Sequence, residues 1–191
     1  MIYRICQFLL DVIYTLLFRI RAEGLEHVPA QGPVLLCSNH ISNFDPPAVG
    51  LKVRRRVHFM AKAELFTFKP LGALLTAIGA FPVKRGGVSK ESIKLALQLL
   101  KDGHVMGIFP EGTRSVPGME GAAKKGAAMI ALRSGASVIP VAINGSYKLF
   151  GKVVVRYGPP VDLSIFADDK EPELLERVTD VIMAHIRELS R

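Results

Sequence analysis

Tryptophan is absent from this chain of 191 residues, and cysteine occurs only at Cys6 and Cys37. Two cysteines so far apart, without C-x-x-C or other metal-ligand spacing, argue against a disulfide scaffold or a cysteine-based zinc site and fit a reducing compartment. With no tryptophan, and with basic residues not interleaved with aromatics, there is no stacking platform of the kind that binds single-stranded nucleic acid. No G-x-S-x-G nucleophile elbow and no H-E-x-x-H zinc motif is present, and "GAAKKGAA" has the glycines of a P-loop without its G-K-[ST] ending. Acidic residues are the minority charge, 17 against 25 basic, for a net charge of +8 and a pI near 9.7. Such a chain suits an acidic partner, whether nucleic acid, an anionic membrane or a phosphate-bearing substrate. Internal repeats, low-complexity tracts and linkers long enough to divide domains are all lacking. Apolar residues at 49% and charged residues at 22% exclude disorder and fit one globular domain, here residues 22–191, with a small appendage, residues 1–21.

That appendage, "MIYRICQFLLDVIYTLLFRIR", has no uninterrupted apolar run long enough to span a bilayer. The stretch from Ile5 to Phe18 is broken by Gln7 and Asp11 and falls short of the roughly 20 residues a span needs. No A-x-A-like cleavage site follows it, so a signal peptide fits poorly. Arg4, Gln7, Asp11 and Thr15 recur at spacings of three and four and draw a narrow polar stripe along an otherwise apolar helix. With Arg19 and Arg21 behind it, this is the pattern of a helix lying in a membrane interface, its basic residues near anionic headgroups. A helix packed on its own domain is the alternative.

The rest of the chain alternates. Buried or short strands are predicted over 33–39, 57–62, 80–85, 104–110, 137–143 and 152–158, and helices over 45–52, 71–79, 89–103, 122–135 and 171–189. Pro82 marks the strand over 80–85 as an edge or irregular position. Gly103 and Gly135 stop the helices before them, and Asp45 is a plausible N-cap for the helix it opens. Strands alternating with helices predict an α/β fold built on a single mixed, largely parallel sheet flanked by helices.

Three polar clusters follow predicted strands, where open α/β sheets bind ligands. In "NHISNFD", His40 is a side chain of the type that serves as a general base, and Asp45 could orient its ring and stabilise the imidazolium. An H-x4-D spacing arises too readily by chance to stand alone; a surface histidine beside an N-cap aspartate explains it as well. In "FPEGTRS", Glu111, Thr113 and Arg114 surround Gly112; the guanidinium can grip a phosphate in a bidentate fork and the carboxylate can accept from a polyol hydroxyl. A turn with a local ion pair is the alternative. In "GAFPVKRGG", Arg85 shares a strand face with Phe81 and Val83, a setting suited to a lipid headgroup; a plain basic strand end is the alternative. Lys124 and Lys125 add positive charge near a helix N-terminus, which itself favours anions.

In that order, "NHISNFD", "GAFPVKR", "FPEGTRS" and "VIPVAI" resemble the four motifs of the glycerolipid acyltransferases, across residues 39 to 143. The ordered set is specific where the H-x4-D pair is not. The resemblance implies an αβ domain with an N-terminal helical membrane anchor. It also implies transfer of a fatty acyl group from acyl-CoA or acyl carrier protein to the sn-2 hydroxyl of lysophosphatidic acid, giving phosphatidic acid, at the cytoplasmic face of the cell membrane. By motif matching, His40 is the base and Asp45 its orienting partner. Arg85, Glu111, Gly112, Thr113 and Arg114 hold the glycerol phosphate, with Lys125 outside the core motifs. The fourth motif, around Pro140, is acyl-pocket or scaffold sequence. The acceptor hydroxyl is the nucleophile, so no serine or cysteine nucleophile, metal or bound cofactor is required. Other acceptors, such as glycerol 3-phosphate or another lysolipid, and a non-catalytic phospholipid-binding role stay open at this stage.

Overall fold

The computed structural model describes residues 2–83, 90–111, 125–169 and 171–191. The elements run α1 (Ile2–Phe18), β1 (Arg21–Glu23), β2 (Val34–Ser38), α2 (Asp45–Leu51), β3 (Val57–Lys62), α3 (Lys69–Ala77) and β4 (Ala80–Val83). They continue with α4 (Lys90–Lys101), β5 (Val105–Ile108), α5 (Lys125–Ser134), β6 (Ser137–Gly145), β7 (Val153–Tyr157) and α6 (Leu174–Leu189). The strands form one sheet in the order β1-β7-β6-β2-β5-β3-β4. From β6 to β4 all neighbours are parallel. β7 is antiparallel to β6 and carries β1 parallel to itself. The sheet is therefore mixed and largely parallel, as the alternation predicts, and Pro82 does lie on an edge strand, where a missing N–H costs no ladder bond. Gly103, at φ 78°, and Gly135, at φ 62°, end α4 and α5 in the left-handed conformation that favours glycine.

The central strand shows why the fold needs helices on both faces. Val34, Leu35, Leu36 and Cys37 are all fully buried. With side chains alternating across a strand, Leu35 and Cys37 pack with α4, α5 and α6, while Val34 and Leu36 pack under α1 and α2. Cys37 is a free thiol, as is Cys6, and burial pushes its pKa up to about 12.

α1 packs with its polarity reversed. Of its polar stripe, Gln7 and Asp11 face the domain. Gln7 Nε2 donates to the carbonyls of Leu51 (2.8 Å) and Val53 (2.9 Å), with Gly50 O at 3.3 Å, so it satisfies acceptors that the end of α2 leaves open. Asp11 pairs with Lys52 at 2.7 Å. Tyr14 and Phe18 are buried beside them, but Ile2, Ile5, Phe8, Leu9, Val12, Ile13 and Leu16 point away, Phe8 and Leu16 being 68% and 66% exposed. The helix thus packs on its own domain and presents an apolar face outward. Among the described residues no helix is long and apolar enough to cross a membrane. Beyond Phe18 the chain turns into β1, where Arg21 pairs with Val154.

Candidate active site

β5, β2 and β6 lie side by side and run parallel, so their carboxyl ends deliver three segments to one edge of the sheet. β2 leads into Asn39 and His40, β5 into Phe109, Pro110 and Glu111, and β6 into Ser146 and Tyr147. Asn39 clamps the first segment to the third. Its Nδ2 donates to Ile143 O at 3.0 Å and its Oδ1 accepts from Ile143 N at 2.7 Å, across 104 residues of sequence.

The turn from Asn39 to Phe44 brings His40 and Asp45 together. His40 Nδ1 stands 2.7 Å from Asp45 Oδ2. The same oxygen accepts from the backbone N–H of Ile41 at 2.6 Å and of Ser42 at 2.7 Å. Asp45 is therefore not the N-cap that its position suggests. It is the first residue of α2, Phe44 holds the cap position without a side-chain cap bond, and the carboxylate folds back onto the preceding turn. In the neutral ring with Nδ1 donating to the carboxylate, Nε2 is the nitrogen left to accept a proton. Asp45 is fully buried while the His40 side chain keeps 18% of its surface exposed, so the imidazole is reachable and the carboxylate is not. The Ile41 and Ser42 N–H groups are committed to Asp45, which removes them as donors to an oxyanion.

A stack fixes the ring from the other side. His40 lies on Phe109 with centroids 4.1 Å apart and planes at 18°, and Phe109 lies near-parallel to Phe59 at 6.1 Å. Gly107 makes room for this. A Cβ there would stand 2.1 Å from Phe59 Cε1, so only glycine lets the Phe59 ring cross β5.

Glu111 follows Phe109 closely and is buried, 6% exposed. Lys125, the first residue of α5, has its ammonium 2.6 Å from Glu176 on α6, both half exposed. Arg85, Gly112, Thr113, Arg114 and Lys124 lie outside the described residues. Pro140 and its neighbours form buried strand in β6, and the Ile143 backbone there is what Asn39 grips. Asn39, Gly107, Phe109 and Tyr147 received no role from the sequence. Asn39, Gly107 and Phe109 sit within or beside quoted stretches, but their partners are distant in the chain. Beside the His40 turn, an apolar cavity of about 240 Å³ opens between α1, α2, β3 and α3, lined by Leu10, Pro46, Phe59, Met60, Leu75 and Ile78 among others.

The Acyltransferase family model matches residues 19–144, and the chain belongs to that family. The 1-acyl-sn-glycerol-3-phosphate acyltransferase of Bacillus subtilis is 34% identical over 98% of this chain and 96% of its own length. The human 1-acyl-sn-glycerol-3-phosphate acyltransferase alpha is 28% identical over 95% of this chain and 69% of its own. The crystal structure of the 1-acyl-sn-glycerophosphate (LPA) acyltransferase PlsC from Thermotoga maritima superposes with a TM-score of 0.68 at 29% identity, covering 89% of this chain and 71% of that one.

Proposed function

We propose that this chain transfers a fatty acyl group from a thioester to the sn-2 hydroxyl of lysophosphatidic acid, forming phosphatidic acid, with His40 as general base and Asp45 as its orienting partner. The observation that carries this reading is the 2.7 Å contact of His40 Nδ1 with a fully buried carboxylate, which leaves Nε2 as the acceptor at an accessible edge. The acceptor hydroxyl attacks the thioester carbonyl while Nε2 takes its proton. As the tetrahedral intermediate collapses, the C–S bond breaks and the imidazolium returns the proton to the leaving thiolate. Asp45 stabilises the imidazolium in between. No protein thiol is called on, consistent with Cys37 being buried and its pKa pushed up to about 12.

Arg85 and Arg114 supply the phosphate contacts, and Glu111, with Gly112 and Thr113, the glycerol contacts. Lys125 joins them only if its pair with Glu176 opens. The apolar cavity between α1 and α3 is suited to an acyl chain. The donor is acyl-CoA or acyl carrier protein. The outward apolar face of α1, continued by exposed Leu149 and Phe150, rests on an anionic membrane surface, which the net charge of +8 favours. The enzyme is thereby peripheral or monotopic at the cytoplasmic face of the cell membrane.

The test is thiol release from palmitoyl-CoA in mild detergent with lysophosphatidic acid, glycerol 3-phosphate or no acceptor, beside His40→Ala. Release that requires both lysophosphatidic acid and His40 is expected. Release with glycerol 3-phosphate instead reassigns the acceptor, and near-normal turnover by His40→Ala overturns the mechanism. No release from the wild type moves the assay to acyl carrier protein as donor, and silence there rejects the enzyme reading.

A further inference from the structure

Tyr147 lies just past β6, against the turn that carries the catalytic pair. Its ring stands edge-on to Phe18 at 5.3 Å and tilted against Phe44 at 5.5 Å. Tyr14 closes the group, edge-on to Phe18 at 5.5 Å and to Phe44 at 6.1 Å. These four rings come from α1, from the residue immediately before Asp45 and from the loop after β6. Phe150 N, donating to Leu17 O at 2.6 Å, ties that loop to the end of α1.

Within this box the hydrogen bonding of Asp45 is lopsided. Among the described residues, the three donors on the carboxylate all go to Oδ2. Asp45 Oδ1 and the Tyr147 hydroxyl are both buried without a well-formed hydrogen bond among the described residues. A bare buried carboxylate oxygen is costly, and so is a bare buried hydroxyl. The two act on each other: burial raises the pKa of the Tyr147 hydroxyl most, and the charge of Asp45 and a short-range hydrogen-bonding interaction with it raise it further. The hydroxyl is therefore protonated at working pH and is a donor.

We propose that Tyr147 is a positioning residue for the catalytic pair, its hydroxyl donating to Asp45 Oδ1 so that the carboxylate is held at both oxygens and Oδ2 stays aimed at His40. The inference rests on the reading of His40 and Asp45 as base and orienting partner. A carboxylate tethered at one oxygen can still turn about its Cβ–Cγ bond, and each turn carries the Nδ1 contact with it. A donor on Oδ1 also draws charge away from Oδ2. Removing it makes Oδ2 more basic and the imidazolium more stable, so the base holds its proton to higher pH.

Tyr147→Phe deletes the hydroxyl and keeps the ring. With lysophosphatidic acid and palmitoyl-CoA, kcat is expected to fall about tenfold, the low end for one hydrogen bond to a charged group, while the KM for lysophosphatidic acid holds. The acid limb of the pH–rate profile shifts to higher pH. Phe18→Leu, which loosens the same box without touching a hydroxyl, is the comparison, with thermal melts on both. If Phe18→Leu displaces the acid limb as Tyr147→Phe does, or if Tyr147→Phe leaves kcat and the limb unchanged, the positioning role is overturned. His40→Ala run alongside separates the failures. Turnover surviving in His40→Ala defeats the base assignment itself, whereas its loss together with an unaltered Tyr147→Phe defeats only the role of Tyr147.

Discussion

Asp45→Asn separates charge from geometry at the buried pair. An asparagine can place its carbonyl oxygen where Oδ2 stands, so Ile41 N, Ser42 N and His40 Nδ1 keep an acceptor. Each bond then changes from charge-assisted, about 1.5–3 kcal/mol, to ordinary, about 0.5–1.5. The three together lose about 3 kcal/mol. In the other direction, a fully buried carboxylate no longer has to be desolvated, a relief of several kcal/mol. The two nearly cancel, so the variant should fold, with a melting temperature within about 6 °C of wild type. Catalysis has no such compensation. The attraction between carboxylate and imidazolium, about 4 kcal/mol at an effective dielectric near 20, disappears, and kcat falls by roughly a thousandfold. The corresponding change in a hydrolase triad costs about ten-thousandfold. Thiol release and a thermal melt on the same preparation decide it. A folded variant within fivefold of wild-type kcat would make Asp45 a turn-forming residue only. A large loss of stability would refute the cancellation of hydrogen-bond and desolvation terms.

Replacing both Phe8 and Leu16 by glutamate removes two large side chains from the outward face of α1, each worth about 1.5–3 kcal/mol on burial. Co-sedimentation with anionic vesicles should weaken by at least a hundredfold, and undiminished binding takes α1 out of the membrane contact. Gly107→Ala forces its new methyl into Phe59, which should cost about 1–3 kcal/mol of stability and lower kcat through the Phe59–Phe109–His40 stack. Adding Phe59→Leu should restore stability without restoring turnover. A Gly107→Ala enzyme with unchanged melt and kcat shows that the stack does not set the ring.

How much of this was legible follows from how local each cause is. β3 runs over Val57–Lys62, the bounds its apolar run predicts, and α4 ends at the glycine that has to take φ 78°, because neighbouring residues encode both. β1 carries no such signal. "RAE" is half exposed and is a strand because β7 lies beside it. The His40–Asp45 pair is legible as a spacing placed after a buried strand. Asp45 is only half legible, since a short acid before two prolines looks like a cap. Whether its carboxylate turns forward into the helix or back onto Ile41 and Ser42 is decided by the path of the turn, which no periodicity records. Asn39 with Ile143 and the ring box around Tyr147 are long-range pairings, invisible until the sheet order is known.

The polar stripe of α1 shows the same limit in another form. Its spacing of three and four fixes a helix with two unlike faces, but not which face meets the domain. The structure resolves this through acceptors the sequence does not advertise. The carbonyls at and just past the end of α2 need a donor, and Gln7 is the side chain that reaches them. Once Gln7 and Asp11 are turned inward, helical geometry sends Phe8, Val12 and Leu16 outward, and water is a poor neighbour for so long an apolar strip. The same helix contributes Tyr14 and Phe18 to the box beside Asp45. The element with the outward apolar face therefore also packs against the turn that holds His40. A bond made at the end of α2 thus sets both where α1 offers its apolar face and how firmly the residue before Asp45 is held.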